Sequence, residues 1–247
     1  MDNPGYIMLS RLSAQARTTA VVAHNLANAD TPGFKAERPI FTAFDNANRN
    51  GAAARGDTST AFTWDRATWR DMQPGALQTT GNPLDLALTG EGFFAVDTAR
   101  GERYTRAGRF SLGADGRIVD ANGNALLSEN GQPIIAAAGD TNLRVTGDGT
   151  IASENGPLGR IKVMRFNNEQ AMLAEGDRLY DAPAEADGEI MPRPAIVQGA
   201  LEGSNVSAIL EMTRMMTELR EFQFASQFAE REGERLQTAV DRILRKQ

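Results

Sequence analysis

A long alternation of apolar residues at spacings of three and four dominates the C-terminal part of this 247-residue chain. Such spacing aligns the side chains in one stripe along an α-helix. A helix capped by Ser204 or Asn205 and continuing from there would have roughly 40 residues and span about 60 Å. A compact domain of this size has no use for so long a rod, so the sequence predicts a helix that packs against other helices. The stripe consists of Met212, Met215, Leu219, Phe222, Ser226, Ala229, Gly233, Leu236, Val240 and Ile243.

Apolar residues also lie outside this stripe, at Ile209, Met216, Phe224 and Phe228. A helix that is apolar on more than one face exposes the additional face unless a further element covers it. The C-terminal helix is therefore predicted to contact more than one neighbouring helix.

The first thirty residues show a matching pattern. Asn3 is suited to cap a helix, and Pro4 is suited to its first turn. The three-four spacing then continues to Leu26, and Pro32 followed by Gly33 favours a turn that ends the helix. The chain is thus predicted to have one long helix near each end. The stripe of the first helix consists of Leu9, Leu12, Ala16, Thr19, Ala23 and Leu26.

Between the two helices the pattern becomes that of short strands. Pairs such as Asn122-Gly123 and Asp148-Gly149 separate short apolar runs, and these pairs favour β-hairpins. The sequence predicts an α+β fold in which segments 1–33 and 204–247 pair as a coiled-coil-like helical domain. Residues 77–203 are predicted to form a central β-rich domain of short strands and hairpins. Residues 34–76 are predicted to be an extended linker with a mobile loop over 45–60.

Composition excludes several kinds of site. The chain has no cysteine and a single histidine, His24, so disulfides, thiolate metal sites and cysteine nucleophiles are excluded. Its net charge of -6 argues against nucleic-acid binding. Apolar runs are only a few residues long, whereas a membrane-spanning helix needs about 20, and the first residues do not resemble a cleaved leader. We predict neither direct membrane insertion nor a cofactor.

Motifs for catalysis or metal binding are incomplete. The run from Asp120 to Asn124 resembles the start of a calcium loop, but Ala125 and Gly131 stand where glycine and glutamate are required. A hairpin turn is the simpler interpretation. His24 has no second imidazole to join it, so we expect a structural, hydrogen-bonded histidine and not a metal ligand or base. No catalytic, cofactor-binding or metal-binding residue is predicted, and the chain is not expected to be an enzyme.

Four stretches of the sequence carry a resemblance to a known family. The run 24–35 reads His-Asn-Leu-Ala-Asn-Ala-Asp-Thr-Pro-Gly-Phe-Lys, and the run 81–94 reads Gly-Asn-Pro-Leu-Asp-Leu-Ala-Leu-Thr-Gly-Glu-Gly-Phe-Phe. The runs 104–110 and 201–206 read Tyr-Thr-Arg-Ala-Gly-Arg-Phe and Leu-Glu-Gly-Ser-Asn-Val. In these stretches, which reach nearly from end to end, the chain resembles the bacterial flagellar axial family of rod, hook and hook-associated proteins.

The resemblance implies a structural subunit of the flagellar basal-body rod, the drive shaft that transmits torque from motor to hook. It implies polymerisation with copies of itself and with other rod proteins, contact with the flagellar type III export apparatus, and a place in the periplasm reached without a cleaved signal peptide. The short length and the forms of the runs 31–34 and 202–206 are most similar to proximal rod members. A distal rod or hook-type protein is the alternative within the family, and a secreted β-rich enzyme or adhesin is the alternative outside it.

The two helical stripes and the turn after the first helix together form the predicted subunit interface. Helices whose apolar stripes lack a partner are marginal in water, so we expect neighbouring subunits to cover them. The predicted interface residues are Leu9, Leu12, Asn25, Leu26, Asn28, Thr31, Pro32, Gly33, Phe34, Met212, Met215, Leu219, Phe222, Phe228, Leu236, Val240 and Ile243.

Overall fold

A computed structural model of the chain describes residues 3–45, 61–137, 139–140 and 142–244. The fold is α+β, with a helix near each end of the chain and a β-rich region between them. The chain divides into two compact units. The helical unit is drawn from Met1–Ala27, Glu37–Trp69 and Ser207–Gln247, and the β unit from Asn28–Ala36 and Arg70–Val206.

The helical unit contains two helices and a two-stranded sheet. Helix α2 begins later than the sequence predicted, because the amide of Glu211 donates to the carbonyl oxygen of Ser207 (3.0 Å) in its first turn. The predicted cap Asn205 instead uses its side-chain oxygen to accept the amide of Ala36 (2.8 Å) within the β unit. The elements are α1 (Asn3–Ala27), β1 (Glu37–Asp45), β2 (Ala61–Arg70) and α2 (Ala208–Leu244).

Strands β1 and β2 occupy a stretch for which the sequence predicted an extended linker. Their residues alternate poorly, and Pro39 interrupts β1, so the period-2 signal of a strand is weak there. The structure forms these strands through pairing with each other. The loop predicted over 45–60 lies outside the described residues except for Asp45.

Helices α1 and α2 lie against each other in opposite directions. The side-chain amide of Asn25 contacts the Glu211 carboxylate (Nδ2 to Oε2, 3.5 Å), and that of Gln15 donates to Glu221 (Nε2 to Oε2, 3.4 Å). The residue nearer the start of α1 therefore contacts the residue nearer the end of α2. The two helices are antiparallel.

The faces that the helices bury differ from the predicted stripes by one residue. The buried side chains of α1 include Gln15, Val22 and Asn25, and those of α2 include Glu211 and Ala225. Each predicted stripe contains the residue that follows these positions. Consecutive residues of a helix are separated by about 100° of rotation. The predicted stripes therefore lie beside the buried faces and are more exposed than the buried faces are.

The β unit is built from short antiparallel strands. Its strands are β3 (Leu77–Thr79), β4 (Leu86–Leu88), β5 (Phe93–Thr98), β6 (Gly101–Thr105), β7 (Phe110–Leu112), β8 (Ile118–Asp120), β9 (Ala125–Leu126), β10 (Arg144–Val145), β11 (Thr150–Ser153), β12 (Gly156–Arg160), β13 (Val163–Phe166), β14 (Leu173–Ala174), β15 (Leu179–Asp181), β16 (Gly188–Ile190), β17 (Ile196–Gln198) and β18 (Ala200–Glu202). Two 3-10 helices lie at Glu169–Ala171 and Ala184–Ala186.

A nine-stranded sheet organises the β unit. Its order is β14-β15-β6-β5-β9-β8-β7, and β13 pairs with both β5 and β16. A separate three-stranded sheet has the order β10-β11-β12. The last two strands return to the first two, since β17 pairs with β4 and β18 pairs with β3. The C-terminal part of the β unit thus completes sheets begun by its N-terminal part.

Strand β5 separates two apolar clusters because successive side chains of a strand point to opposite faces. Phe94 belongs to the larger cluster and meets Phe110 edge to face at 5.5 Å between ring centroids. Phe93 belongs to the smaller cluster and packs against Phe166 and Tyr180. Both faces of this central strand are therefore buried.

Hairpin turns lie where the sequence predicted them. The run that resembles a calcium loop joins β8 to β9, and the Oδ1 atom of Asp120 accepts the amides of Asn122 (2.8 Å) and Asn124 (2.9 Å). The carboxylate is thus occupied by the turn itself. The hairpin interpretation is confirmed.

Candidate subunit interface

The structure divides the predicted interface residues into exposed and buried groups. The exposed ones are Leu9, Met212, Leu219, Phe222, Phe228, Val240 and Ile243. The half-buried ones are Leu12, Leu26, Asn28, Thr31, Pro32 and Met215, and the buried ones are Asn25, Gly33 and Phe34. The side chain of Leu236 lies outside what the structure describes.

Helix α2 carries most of the exposed apolar surface. Besides the predicted stripe, Ile209 is 78% exposed and Phe224 is 69% exposed. Met216 is also exposed. These residues lie on different faces of α2, as the sequence pattern predicted. An exposed apolar surface of this extent is typical of a protein that associates.

Strands β1 and β2 cover one side of the antiparallel helix pair. Val21, which precedes the buried position Val22, is itself buried. On the same side of α1, Arg17 donates to the hydroxyl of Thr68 in β2 (3.2 Å), and His24 lies 3.8 Å from the Glu37 carboxylate of β1. The residues of α1 that come one position before the buried residues therefore contact β1 and β2 of the same chain.

The opposite side of the helix pair is open. In an antiparallel pair of right-handed helices, the residues that follow the buried face on each helix turn toward the same side. On α1 these residues include the exposed Ala16 and Ala23. On α2 they include Met212, Met216 and Leu219, each roughly half exposed. Small residues on one helix and bulky ones on the other are thus exposed on the same side of the pair, which we call the open face.

Asn25 works inside the chain and is not available to a neighbouring subunit. Its side chain is fully buried. Its amide nitrogen donates to the carbonyl oxygen of Glu37 (2.8 Å), and its side-chain oxygen accepts the Glu37 amide (2.9 Å). Both backbone groups of the first residue of β1 are thereby satisfied. Asn25 fixes the start of β1 beside the end of α1.

Glu211 joins α2 to the same region. Its buried carboxylate accepts two hydrogen bonds from the Arg38 guanidinium (2.7 and 3.0 Å) and one from Arg214 (2.8 Å). Burial alone would raise the pKa of Glu211, but the hydrogen bonds and charges of Arg38, together with Arg214 and Asn25, outweigh it and lower the pKa. Glu211 is therefore held as an anion near the N-terminus of α2, where negative charge is favoured.

The turn after α1 is held by contacts inside the β unit. The amide of Gly33 donates to the carbonyl oxygen of Glu202 (2.8 Å), and the amide of Asn205 contacts the carbonyl oxygen of Phe34 (3.4 Å). Gly33 has φ +72°, and a Cβ atom there would lie 2.6 Å from the backbone of Arg106. Only glycine fits this approach. Gly33 and Phe34 therefore act within the chain.

Sequence reasoning missed the charged residues that organise these segments. Arg38 and Glu211 were not singled out, and neither were Lys35 and Glu202, which form a buried ion pair. Glu211 stands in the apolar run Ile-Leu-Glu-Met at 209–212, and Glu202 directly follows the apolar pair Ala-Leu at 200–201. A charge embedded in an apolar run is the signal that could have identified them.

Other chemistry is not assembled in the described part of the chain. Across residues 3–45, 61–137, 139–140 and 142–244, histidine and carboxylate side chains form no group of three or more that could hold a metal ion. The helices of these same ranges include none that is both long and apolar enough to cross a membrane.

Three family models match the chain in succession. They are described as flagella basal body rod protein (residues 6–35), flagellar hook protein FlgE/F/G D1 domain (87–153) and flagellar basal body rod FlgEFG protein C-terminal (197–242). The three matches include most of α1, the central strands of the β unit and most of α2. The class that they define is that of flagellar rod and hook proteins.

Curated relatives match nearly the whole chain. The flagellar basal-body rod protein FlgF of Caulobacter vibrioides is 31% identical over 98% of both chains. FlgF of Salmonella typhimurium is 33% identical over 90% of this chain and 91% of its own. FlgG of Bacillus subtilis is 30% identical, with the same two shares covered. The chain therefore belongs to the flagellar basal-body rod protein family.

Family membership resolves the choice between classes of protein. The chain is a structural component of the flagellar basal-body rod and not an enzyme. The alternative of a secreted β-rich enzyme is wrong. The exposed apolar surface of α2 is consistent with a structural subunit, since such surfaces are covered on association.

Proposed function

We propose that the chain is a proximal rod subunit that polymerises through its helical unit. Both FlgF and FlgG proteins are among its relatives; FlgF proteins match at 30–33% identity and FlgG proteins at 29–30%. The match over 98% of the Caulobacter FlgF chain means that the two proteins share their length, which supports the proximal position. A distal rod or hook-type position is the alternative.

The observation that carries the assembly proposal is the open face. Within the chain, α1 and α2 bury one face of each helix, and β1 with β2 covers one side of the pair. The other side exposes Met212, Met216 and Leu219 with no described element over it. Covering an exposed leucine or methionine side chain contributes about 1.5–3 kcal/mol when burial is complete. Several such residues per subunit supply a driving force for polymerisation.

We infer that helices of neighbouring subunits cover this surface in a coiled-coil-like arrangement. The exposed residues of the predicted interface, including Leu9, Phe222, Val240 and Ile243, then lie between subunits. Neighbours are further copies of this chain and other rod proteins. The subunit reaches the periplasm through the flagellar type III export apparatus without a cleaved signal peptide, and in the assembled rod it transmits torque from motor to hook.

A charge placed on the interface tests the assembly proposal. Leu219→Asp and Phe222→Asp should abolish motility in a strain that depends on this gene, because a charge buried without a partner costs several kcal/mol. Gln227→Asp introduces the same charge at an exposed polar position of the same helix and should leave swimming unchanged. Normal motility of both interface variants would refute the packing.

Complementation tests the position in the rod. The chain, expressed in a host that lacks its own proximal rod protein, should restore motility, and in the same host lacking the distal rod protein it should not. The opposite pattern would assign the chain to the distal rod.

A further inference from the structure

A buried charge cluster in the β unit has no part in the proposed assembly surface. The side chains of Lys35, Glu202 and Arg106 are each 2% exposed or less. The Lys35 ammonium lies 2.6 Å from one carboxylate oxygen of Glu202, and the Arg106 guanidinium lies 3.3 Å from the other. One carboxylate near the end of the β unit therefore binds two cations from earlier parts of the sequence.

Glu202 also binds backbone groups of two further segments. Its Oε1 atom accepts the amide of Gly75 (3.0 Å), and its carbonyl oxygen accepts the amide of Gly33 (2.8 Å). The Lys35 ammonium in turn donates to the carbonyl oxygen of Gln73 (2.7 Å). Segments around residues 33, 75, 106 and 202 are thus held together around one carboxylate.

Among the described residues, Glu202 is the carboxylate that forms ion pairs with both cations of this cluster. Burial, which removes water from the ammonium, lowers the pKa of Lys35 even though Glu202 opposes the shift. The nearby Glu169 has its pKa raised by burial, against the effect of Arg106, and it makes no ion pair with either cation. The Nε atom of Arg106 is buried without a hydrogen-bond partner among the described residues. Without Glu202, two buried cations would lack a bonded carboxylate.

The strands next to Glu202 complete the β unit. Strand β17 pairs with β4, and β18, which contains Glu202, pairs with β3. Ile196 and Leu201 of these strands are buried. Their docking buries apolar surface and in the same step brings the Glu202 carboxylate to both cations. Breaking a buried ion pair by removal of one partner costs several kcal/mol, so the partly docked state is unfavourable.

We propose that Glu202 is a closing latch: the β unit forms a stable core only when the segment 196–206 has docked and Glu202 has bound Lys35 and Arg106. A chain whose first 195 residues alone are available holds Lys35 and Arg106 without the carboxylate that pairs with both of them. Its β unit stays open until the last strands arrive. One consequence rests on the proposed function. While the chain is threaded through an export apparatus, the latch delays closure of the β unit until most of the chain is available.

The order of folding tests the latch in the full-length protein. Pulsed hydrogen exchange during refolding compares the amides of Gly33 and Gly75, which report the latch, with those of Ala95 and Leu127, which donate to carbonyl oxygens in the central sheet. We expect all four amides to become protected in the same kinetic phase. Protection of Ala95 and Leu127 in an earlier phase, with Gly33 and Gly75 still exchanging, would overturn the proposal.

Two substitutions test whether the charge of Glu202, and not the shape of its side chain, controls closure of the β unit. Glu202→Gln keeps the shape and removes the charge, and it should slow protection of Ala95 by more than about tenfold. Glu102→Gln, which removes a half-exposed partner of Lys162 in the same unit, should change the rate by less than about twofold. Equal effects of the two variants would contradict the latch.

A triple variant keeps the test decisive if Glu202→Gln does not fold. Lys35→Met, Arg106→Met and Glu202→Leu together replace all three charges of the cluster with apolar side chains. The triple variant should fold, with Ala95 protected before Gly33, because closure no longer depends on pairing buried charges. Failure of the triple variant to fold, or protection as slow as in Glu202→Gln, would overturn the proposal. Refolding does not depend on motility, so these results are independent of the complementation that tests the rod assignment.

Discussion

The substitution Glu211→Gln tests how much the buried carboxylate contributes to the helical unit. The Glu211 side chain is 1% exposed and forms hydrogen bonds with two arginines. A hydrogen bond that involves a charged group contributes about 1.5–3 kcal/mol, and breaking a fully buried ion pair costs about 3–5 kcal/mol. Arg38 is 32% exposed and Arg214 is 49% exposed, so both can turn toward water. We therefore expect a loss of about 2–3 kcal/mol in the free energy of unfolding.

Tryptophan fluorescence measures this loss in the helical unit alone. The chain has two tryptophans, Trp64 and Trp69, and both lie in β2 of the helical unit. The β unit contains none of them. A urea titration followed by tryptophan fluorescence therefore reports unfolding of the helical unit, and the lower midpoint of Glu211→Gln gives the free-energy change at constant slope.

Glu218 provides the matched control on the same helix. Burial, and secondarily the charge of Glu221, raise the pKa of Glu218, so its negative charge is disfavoured in the fold. Glu218→Gln should leave stability unchanged or increase it. The reasoning would be refuted if Glu211→Gln stayed within about 0.5 kcal/mol of the parent, the usual range of neutral surface substitutions, or if Glu218→Gln were equally destabilising.

Three further outcomes are expected. Because the pKa of Glu211 is lowered in the fold, the stability that this carboxylate contributes is present above its unfolded pKa of about 4.3 and is lost as the pH falls through the lower folded value. The urea midpoint measured by tryptophan fluorescence should therefore fall on acidification through that window. It should fall less in Glu211→Gln. Gly33→Ala should destabilise the β unit by about 3 kcal/mol through strain and overlap with the Arg106 backbone. Gly123→Ala, at φ +85° in open space, should cost about 1 kcal/mol. Amide exchange of Ala95 measures both costs, and equal costs would contradict the close approach at Gly33. Asn25→Ala should cost about 2–3 kcal/mol because it removes two hydrogen bonds between a buried side chain and the backbone of Glu37, and an unchanged urea midpoint would show that water replaces these bonds.

Local features of the chain were predictable from the sequence. The three-four alternation predicted both helices, because an α-helix repeats its faces regardless of what they touch. Asn-Gly and Asp-Gly pairs predicted the hairpins, because positive φ is a property of the residues themselves. Glycine at position 33 likewise marks the turn after α1.

Contacts between distant parts of the chain were not predictable in this way. β1 and β2 appear where a linker was predicted, since their stability comes from pairing and not from a period of two. The face that each helix buries lies one residue from the predicted stripe because Asn25 hydrogen-bonds both Glu37 and Glu211 there. Polar residues with partners can occupy a buried face that a hydrophobic pattern assigns elsewhere.

The sequence by itself determined the two helices, the hairpins of the β unit and, through family resemblance, the class of protein. Only the tertiary structure decided which apolar stripes remain open and which charges are buried. Lys35 and Glu202 stand 167 positions apart, and nothing local in either segment specifies the other. Helix periodicity and turn chemistry act over a few residues, whereas burial of a charge depends on which distant segment brings its partner. For this reason the open face and the Glu202 cluster emerge from the fold and not from the pattern of residues.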